Sequence, residues 1–148
     1  MVECGLGAME EALGHSHFSV YRLQAEVSRI FGENFYLKPG RSKGGSSHLY
    51  MSPEARKYKK ELYEKLREQV ESGAFPYGRE FPQRVVYEFR ITKDRDVSNM
   101  IKVTEDALSD AIGVDDSVWT EVVARKVRIA GDGPEVVIIE LYCPKQTI

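Results

Sequence analysis

The sequence predicts a two-layer α/β (α+β) domain, in which a mixed β-sheet packs against two main helices. Three observations carry that prediction. Two stretches, about 53–72 and 99–112, repeat apolar residues at helical spacing. Segments rich in β-formers come before, between and after them, in the order βα-βα-ββ. The chain of 148 residues is 42% hydrophobic and 30% charged, which suits one domain with its own core.

The elements follow in order. Residues 1–16 carry Gly5, Gly7 and Gly14, which limit any helix to a turn near Glu10–Leu13. They are expected to form a flexible N-terminal extension to a single domain spanning 17–148. His15 and His17 make an H-x-H pair with no third ligand nearby, so an ordinary terminal pair is the better reading. Phe18–Leu23 alternates and predicts a strand. Residues 24–37 are ambiguous, since Val27, Ile30 and Phe31 have helical spacing before Gly32. Residues 38–48 (KPGRSKGGSSH) are expected to form a mobile basic loop, because Gly, Ser and Pro cannot build a core.

Ser52-Pro53-Glu54 is a helix start, with a capping hydroxyl, a proline at the first position and an acid near the positive helix end. Ala55, Tyr58, Leu62, Leu66 and Val70 mark its buried face, and Gly73 stops it. Arg84–Thr92 is a strand with Val85, Tyr87, Phe89 and Ile91 on one face. If the strand continues, Asp94, Asp96 and Ser98 share the opposite face. A helix from about Asn99 to Ile112 buries Met100, Val103, Ala107, Leu108 and Ala111, and Gly113 ends it. Ser98, Lys102 and Asp106 form one row along it. Val118–Ile129 and Val136–Tyr142 read as strands joined by Gly131-Asp132-Gly133-Pro134, the second being the antiparallel return of the first.

Charge divides the chain. Residues 38–67 hold nine Lys/Arg against three Glu, while 93–121 hold eight acids against three bases. A basic half beside an acidic half fits an enzyme that grips phosphates with one part and holds metal with the other. It fits equally two halves that pair with each other. Carboxylates brought together repel, so a divalent cation among Asp94, Asp96, Asp106, Asp115 and Asp116 is the chemical reading; a solvated acidic surface is the plain one. Lys38, Arg41, Lys43, Lys57 and Lys60 are the candidate DNA contacts. Cys4 and Cys143 lie far apart without metal-type spacing and are expected to be reduced thiols. No apolar run is long enough to span a bilayer, and the opening residues lack the pattern of a signal peptide, so a cytoplasmic location is expected.

The ordered run Asp96-Val97-Ser98-Asn99-Met100-Ile101-Lys102, then Asp106-Ala107-Leu108, then Asp115-Asp116-Ser117-Val118 resembles the RusA family of Holliday junction resolvases. That family carries D-x-D-N-x-x-K, a helix with D-A-L, and D-D-S-x-V. The resemblance covers roughly residues 34–142, more loosely before 84. It implies a bacterial or phage-encoded homodimer that cuts four-way DNA junctions with Mg²⁺, or Mn²⁺ in its place. Asp96 and Asp116 match two of the family's essential acids and Lys102 its lysine; Asn99 matches the family's asparagine and is expected to order the turn or the acid cluster. Ser98 stands where the family has its second acid, and residues 1–16 have no counterpart. Asp94, two residues before Asp96, is a candidate for the missing carboxylate, with Asp115 beside Asp116 as a further ligand. Two alternatives stand beside this reading. One is a junction-binding protein with impaired cleavage, because Ser98 cannot replace a carboxylate on metal. The other is an interaction protein whose acidic stretch is only surface.

Overall fold

The computed structural model describes residues 17–31, 37–41 and 47–145, with backbone alone for 37–41 and 47–51. The order is β1 (Phe18–Val27), β2 (Leu37–Arg41), β3 (Ser47–Met51), α1 (Pro53–Glu71), β4 (Arg84–Ile91), α2 (Val97–Ile112), a 3₁₀ turn (Asp116–Val118), β5 (Glu121–Arg128) and β6 (Glu135–Pro144). The expected mixed sheet and two helices are present. The sheet runs β1-β6-β4-β5, with β4 and β5 parallel and the other pairs antiparallel. A parallel pair needs a crossover, and α2 supplies it.

The helices begin as their sequences dictate. The Ser52 hydroxyl accepts from the Ala55 N–H at 3.2 Å, and Pro53 opens α1. The five residues expected on the buried face of α1 are its buried residues. Each large side chain among them contributes about 1.5–3 kcal/mol by leaving water. The five apolar residues expected to face inward from α2 are likewise buried, joined by Thr104 and Ile112. Between the helices Tyr58 donates to the Thr104 hydroxyl at 2.7 Å, because Thr104 spends its own proton on the Met100 carbonyl. Val85, Tyr87, Phe89 and Ile91 form the sheet's helix-facing side, together with Val137, Ile139, Leu141 and Cys143 of β6. Burial pushes the Cys143 thiol up to about 12, so it stays a protonated core group.

Two expectations are corrected and one ambiguity is resolved. Leu37–Arg41 and Ser47–Met51 pair as an antiparallel two-stranded sheet, where a loop over 38–48 was expected; residues 42–46 lie outside the described residues. Backbone pairing needs no apolar side chains, so a Gly- and Ser-rich composition does not forbid it. β1 runs on to Val27, which resolves the ambiguous start of 24–37 in favour of a strand. Finally, β6 does not return beside β5. It inserts between β1 and β4, although the turn signal before it is real. The expected extension, 1–16, lies outside the described residues.

One buried carboxylate ties the sheet to the segment that follows β4. Glu135, 1% exposed at the start of β6, accepts from the backbone N–H of Ile30 and of Thr92, each at 2.8 Å, from the Thr92 hydroxyl at 3.1 Å, and from Arg95 at 2.8 Å. Burial drives its pKa up, but Arg95 and the two amides outweigh that and hold it below the ordinary glutamate range. A carboxyl depressed by folding adds stability that is full above the unfolded range and lost as pH falls through the folded value. Glu135→Ala strands Arg95 and is expected to cost about 3–5 kcal/mol in urea unfolding. Glu135→Gln is expected to flatten the parent's loss of stability in acid. A parent-like acid profile in Glu135→Gln would show that this carboxylate does not govern it.

Candidate active site

Ile91 ends β4, and the chain turns at once. The strand alternation expected to carry Asp94 and Asp96 onto one face therefore does not hold. Asp96 instead takes the cap position of α2, with extended backbone, and Ser98 lies in the first helical turn. The Asp96 side chain is exposed and makes no cap hydrogen bond, while its carbonyl accepts from the Asn99 N–H at 3.1 Å. Asp94 is occupied elsewhere. Lys126 of β5 reaches its carboxylate at 2.7 Å and the Arg95 carbonyl at 2.8 Å. The Lys126 hydrogen bond and charge hold the Asp94 carboxyl below its ordinary range. Asp94 is thus an ion-pair partner of the neighbouring strand, which corrects the expectation that alternation sets it beside Asp96.

The far end of α2 brings the other acids back. Gly113 caps the helix with φ 74°, a left-handed conformation that suits glycine, and an added Cβ would lie 2.6 Å from the Tyr77 ring. The chain then enters the 3₁₀ turn, where the Asp115 carboxylate accepts from the Ser117 N–H at 3.2 Å. That bond lowers the Asp115 pKa. Asp116 moves the other way. Burial and its contact with Asp115 raise it, Asp106 adds to the rise, and Lys102 pulls against them. Lys102 itself stands 3.4 Å from Asp106, one turn along α2, and the charges of Asp106, Asp116 and Glu105 raise its pKa against its partial burial. Lys102, Asp106 and Asp116 are thereby brought together as one electrostatic unit.

Glu105 belongs to that unit and was not singled out in the sequence. Its carboxylate accepts from the Trp119 indole N–H at 3.0 Å. Burial raises its pKa, and Asp116 adds to the effect. Behind it stands Tyr87, wholly buried, whose hydroxyl has no well-formed hydrogen-bond partner. Burial raises the pKa of that hydroxyl, and the charge of Glu105 adds to the rise. The signal for Glu105 was present in the spacing, three residues beyond Lys102 and seven beyond Ser98 on one helix face. Tyr87 carried no such signal, because it reads as core. Among the described residues, no three His, Cys, Asp or Glu side chains converge tightly enough to hold a metal ion by themselves.

The basic residues divide. Lys57 and Lys60 are exposed on α1. Lys38 and Arg41 lie in β2, described by backbone alone, and Lys43 lies outside the described residues. Arg56, Lys59, Lys60 and Tyr63 line an open groove of about 500 Å³ that reaches Asp110 on α2. Lys59 stands 3.9 Å from Asp110. No helix among the described residues is long and apolar enough to cross a membrane.

The family model for endodeoxyribonuclease RusA matches residues 37–140. No curated protein matches the chain. Similar solved structures include CetZ1 from Haloferax volcanii as a GDP-bound monomer, at 12% identity and TM-score 0.41, covering 93% of this chain and 33% of that one. They also include 2C-methyl-D-erythritol 2,4-cyclodiphosphate synthase from Plasmodium vivax, at 12% identity and TM-score 0.37, covering 87% and 99%. A third is the bifunctional IspDF from Campylobacter jejuni, at 10% identity and TM-score 0.33, covering 87% and 43%. This chain spans about a third of the length of CetZ1. At these scores the likenesses carry no argument about fold or function.

The electrostatic unit makes a prediction that needs no substrate. Lys102→Met removes the cation that opposes the rise of Asp116, so the Asp116 carboxyl is expected to titrate higher still. Carboxyl-carbon NMR measures it. An unmoved Asp116 titration would mean that Lys102 does not face it.

Proposed function

The chain belongs to the RusA endodeoxyribonuclease family, and from that premise we propose that it is a divalent-metal-dependent endonuclease that cuts four-way DNA junctions by phosphodiester hydrolysis. The observation that carries the reading is the ion pair of Lys102 with Asp106 at 3.4 Å, which Asp116 joins electrostatically, with Lys102 and Asp116 at the positions where the resemblance puts a lysine and an acid of the family's site.

The donor chemistry suits a hard cation, and since no three of the described acids converge, water would have to complete its shell. All the donors are carboxylate oxygens, the class that Mg²⁺ takes. Asp116 is crowded by Asp115 and Asp106, with Lys102 as the opposing charge, so added positive charge is favoured there. Asp96 and Asp116 would hold Mg²⁺ or Mn²⁺, with Asp115 in support. Bound there, the ion supplies Lewis acidity toward the phosphoryl oxygens and lowers the pKa of the attacking water. The chain's own groups do the rest. Lys102, held upright by Asp106, presents its ammonium to the phosphate, where negative charge grows as the bond to the attacking oxygen forms. Asp116, crowded by neighbouring acids, is a carboxylate that a bound cation would relieve of repulsion. Asn99 supports the turn that presents Asp96, through the bond from its N–H.

The DNA backbone is assigned to Lys57 and Lys60 of α1, and to Lys38, Arg41 and Lys43 of the basic stretch that precedes it. The groove beside Lys60 supports this, because it opens onto the same helix that carries Lys102 and Asp106. A four-way junction is nearly two-fold symmetric, so an isologous homodimer would offer one site to each strand that is cut.

The test is a labelled four-way junction incubated with Mg²⁺ and resolved on a denaturing gel. The parent is expected to cut. Asp116→Asn and Asp96→Asn are expected to abolish cutting while leaving junction binding intact or tighter, since repulsion of phosphate falls. Asp94→Asn, its carboxylate occupied by Lys126, is expected to cut near the parent rate. Normal cutting by Asp116→Asn would sink the site assignment, and a parent that binds junctions without cutting would identify a binding protein.

The basic half has its own test. Neutralising Lys43, Lys57 and Lys60 together is expected to weaken binding to any DNA and to flatten its salt dependence by about one unit of slope per lost phosphate contact. An unchanged slope in the triple alanine variant would put the DNA on another face.

A further inference from the structure

The basic half of the chain supplies cations on one side of α2. The fold brings a second group of cations to the other side, from the turn after β4 and from the end of β5.

Their placement follows from the sheet. α1 packs along one side of α2, where Tyr58 meets Thr104, and lies over β1. β5 is the edge strand at the opposite side of the sheet. Residues paired across neighbouring strands project to the same face. Lys126 pairs with Phe89 and Arg128 with Ile91, both on the helix-facing side. Lys126 and Arg128 therefore project into the layer of α2, along its outer flank. Arg125 alternates to the other face, where it meets Glu88 at 2.6 Å. The Ile129 N–H donates to the Ile91 carbonyl at 2.8 Å, which keeps the end of β5 beside the turn that leaves β4. Lys93 lies in that turn, three residues before Asp96.

Charge at this place is only partly compensated. Asp94 takes the Lys126 ammonium at 2.7 Å. Lys93 and Arg128 are exposed and form no ion pair among the described residues. Charged side chains also keep an edge strand from pairing with another chain, and that duty alone would explain cations on β5. It does not explain Lys93, which belongs to no strand. The amides at the head of α2 add partial positive charge beside these two residues. The guanidinium of Arg128 stays charged at every working pH, and its planar fork matches two phosphate oxygens.

Resting on the reading above that the chain binds DNA, we propose that Lys93 and Arg128 form a second phosphate-contacting surface, at the head of α2 and across that helix from Lys57 and Lys60. The DNA backbone is then held on both flanks of the helix that carries Lys102.

The test is the salt dependence of binding to a fluorescent four-way junction, read by anisotropy across a KCl series. The double variant Lys93→Ala, Arg128→Ala is expected to melt at the parent temperature, since both side chains are exposed. Its plot of log affinity against log salt is expected to flatten by about two units, one for each lost contact. The double variant Lys93→Arg, Arg128→Lys keeps both charges and is expected to hold the parent slope. If the alanine variant melts low, Lys93→Gln with Arg128→Gln, which keep most of each stem, decides by the same slope. An unchanged slope overturns the proposal. An unchanged slope with self-association on gel filtration overturns it too, and leaves the β5 cations as guards of a sheet edge. Flattening by Lys57→Ala, Lys60→Ala and none by the Lys93 and Arg128 pair keeps the earlier DNA assignment and removes this one. The reverse result moves the DNA off α1 and keeps this one. A parent that binds no junction at any salt removes both.

Discussion

The architecture turns on a charge that would be costly to bury alone. Glu135 opens β6, the strand that inserts between β1 and β4, and its two oxygens join three separate parts of the chain. One oxygen receives the Ile30 amide beyond the end of β1. The other receives Thr92, immediately beyond β4, and Arg95, one residue before the cap of α2. Four donors on one carboxylate outweigh the desolvation cost, where a single partner would leave it marginal. The consequence for function is positional. The turn from β4 into α2 is clamped from below by Arg95 and from the side by Lys126, which takes both Asp94 and the Arg95 carbonyl. Asp96 sits between those clamps and is left with a free-standing carboxylate at the head of the helix.

Whatever depends on local periodicity was legible in the sequence. The buried faces of α1, α2 and β4 follow from residues three, four or two apart, and the structure buries them as expected. The cap at Ser52 and the stop at Gly113 follow from side-chain and backbone chemistry at single positions. What depends on the choice of a distant partner was not legible. The Gly131–Pro134 turn signals a reversal, but a reversal does not name the strand beside which the chain settles. Here β6 finds more apolar surface between β1 and β4 than beside β5, whose residues are mostly exposed. The alternation expected to set Asp94 beside Asp96 did not hold for a related reason. Alternation holds only while a strand lasts, and β4 stops at Ile91, three residues too early.

The division of charge along the chain takes a definite form in space. The basic face of α1 and the acidic row of α2 meet at Lys59 and Asp110. That contact is long and partly exposed, so it contributes little and does not neutralise either half. The groove beside it keeps Lys60 and Tyr63 at its walls, an arrangement that suits a charged backbone with an aromatic surface next to it.

The two ends of α2 treat their acids differently, and this decides where negative charge accumulates. Asp96 caps the N-terminus, where the exposed amides carry partial positive charge and stabilise an anion without metal. Asp116 has no such help. It lies beside Asp115 and Asp106, near a half-buried Glu105, with one ammonium among them. Lys102 cannot neutralise three neighbouring carboxylates. It offsets part of the repulsion and leaves the cluster net negative. Losing a carboxylate at Ser98 removes charge from the end of the helix that the dipole already serves. Glu105, midway along α2, adds its charge near Asp116 and beyond the reach of the helix's positive end, so repulsion among the acids is greatest around Asp116.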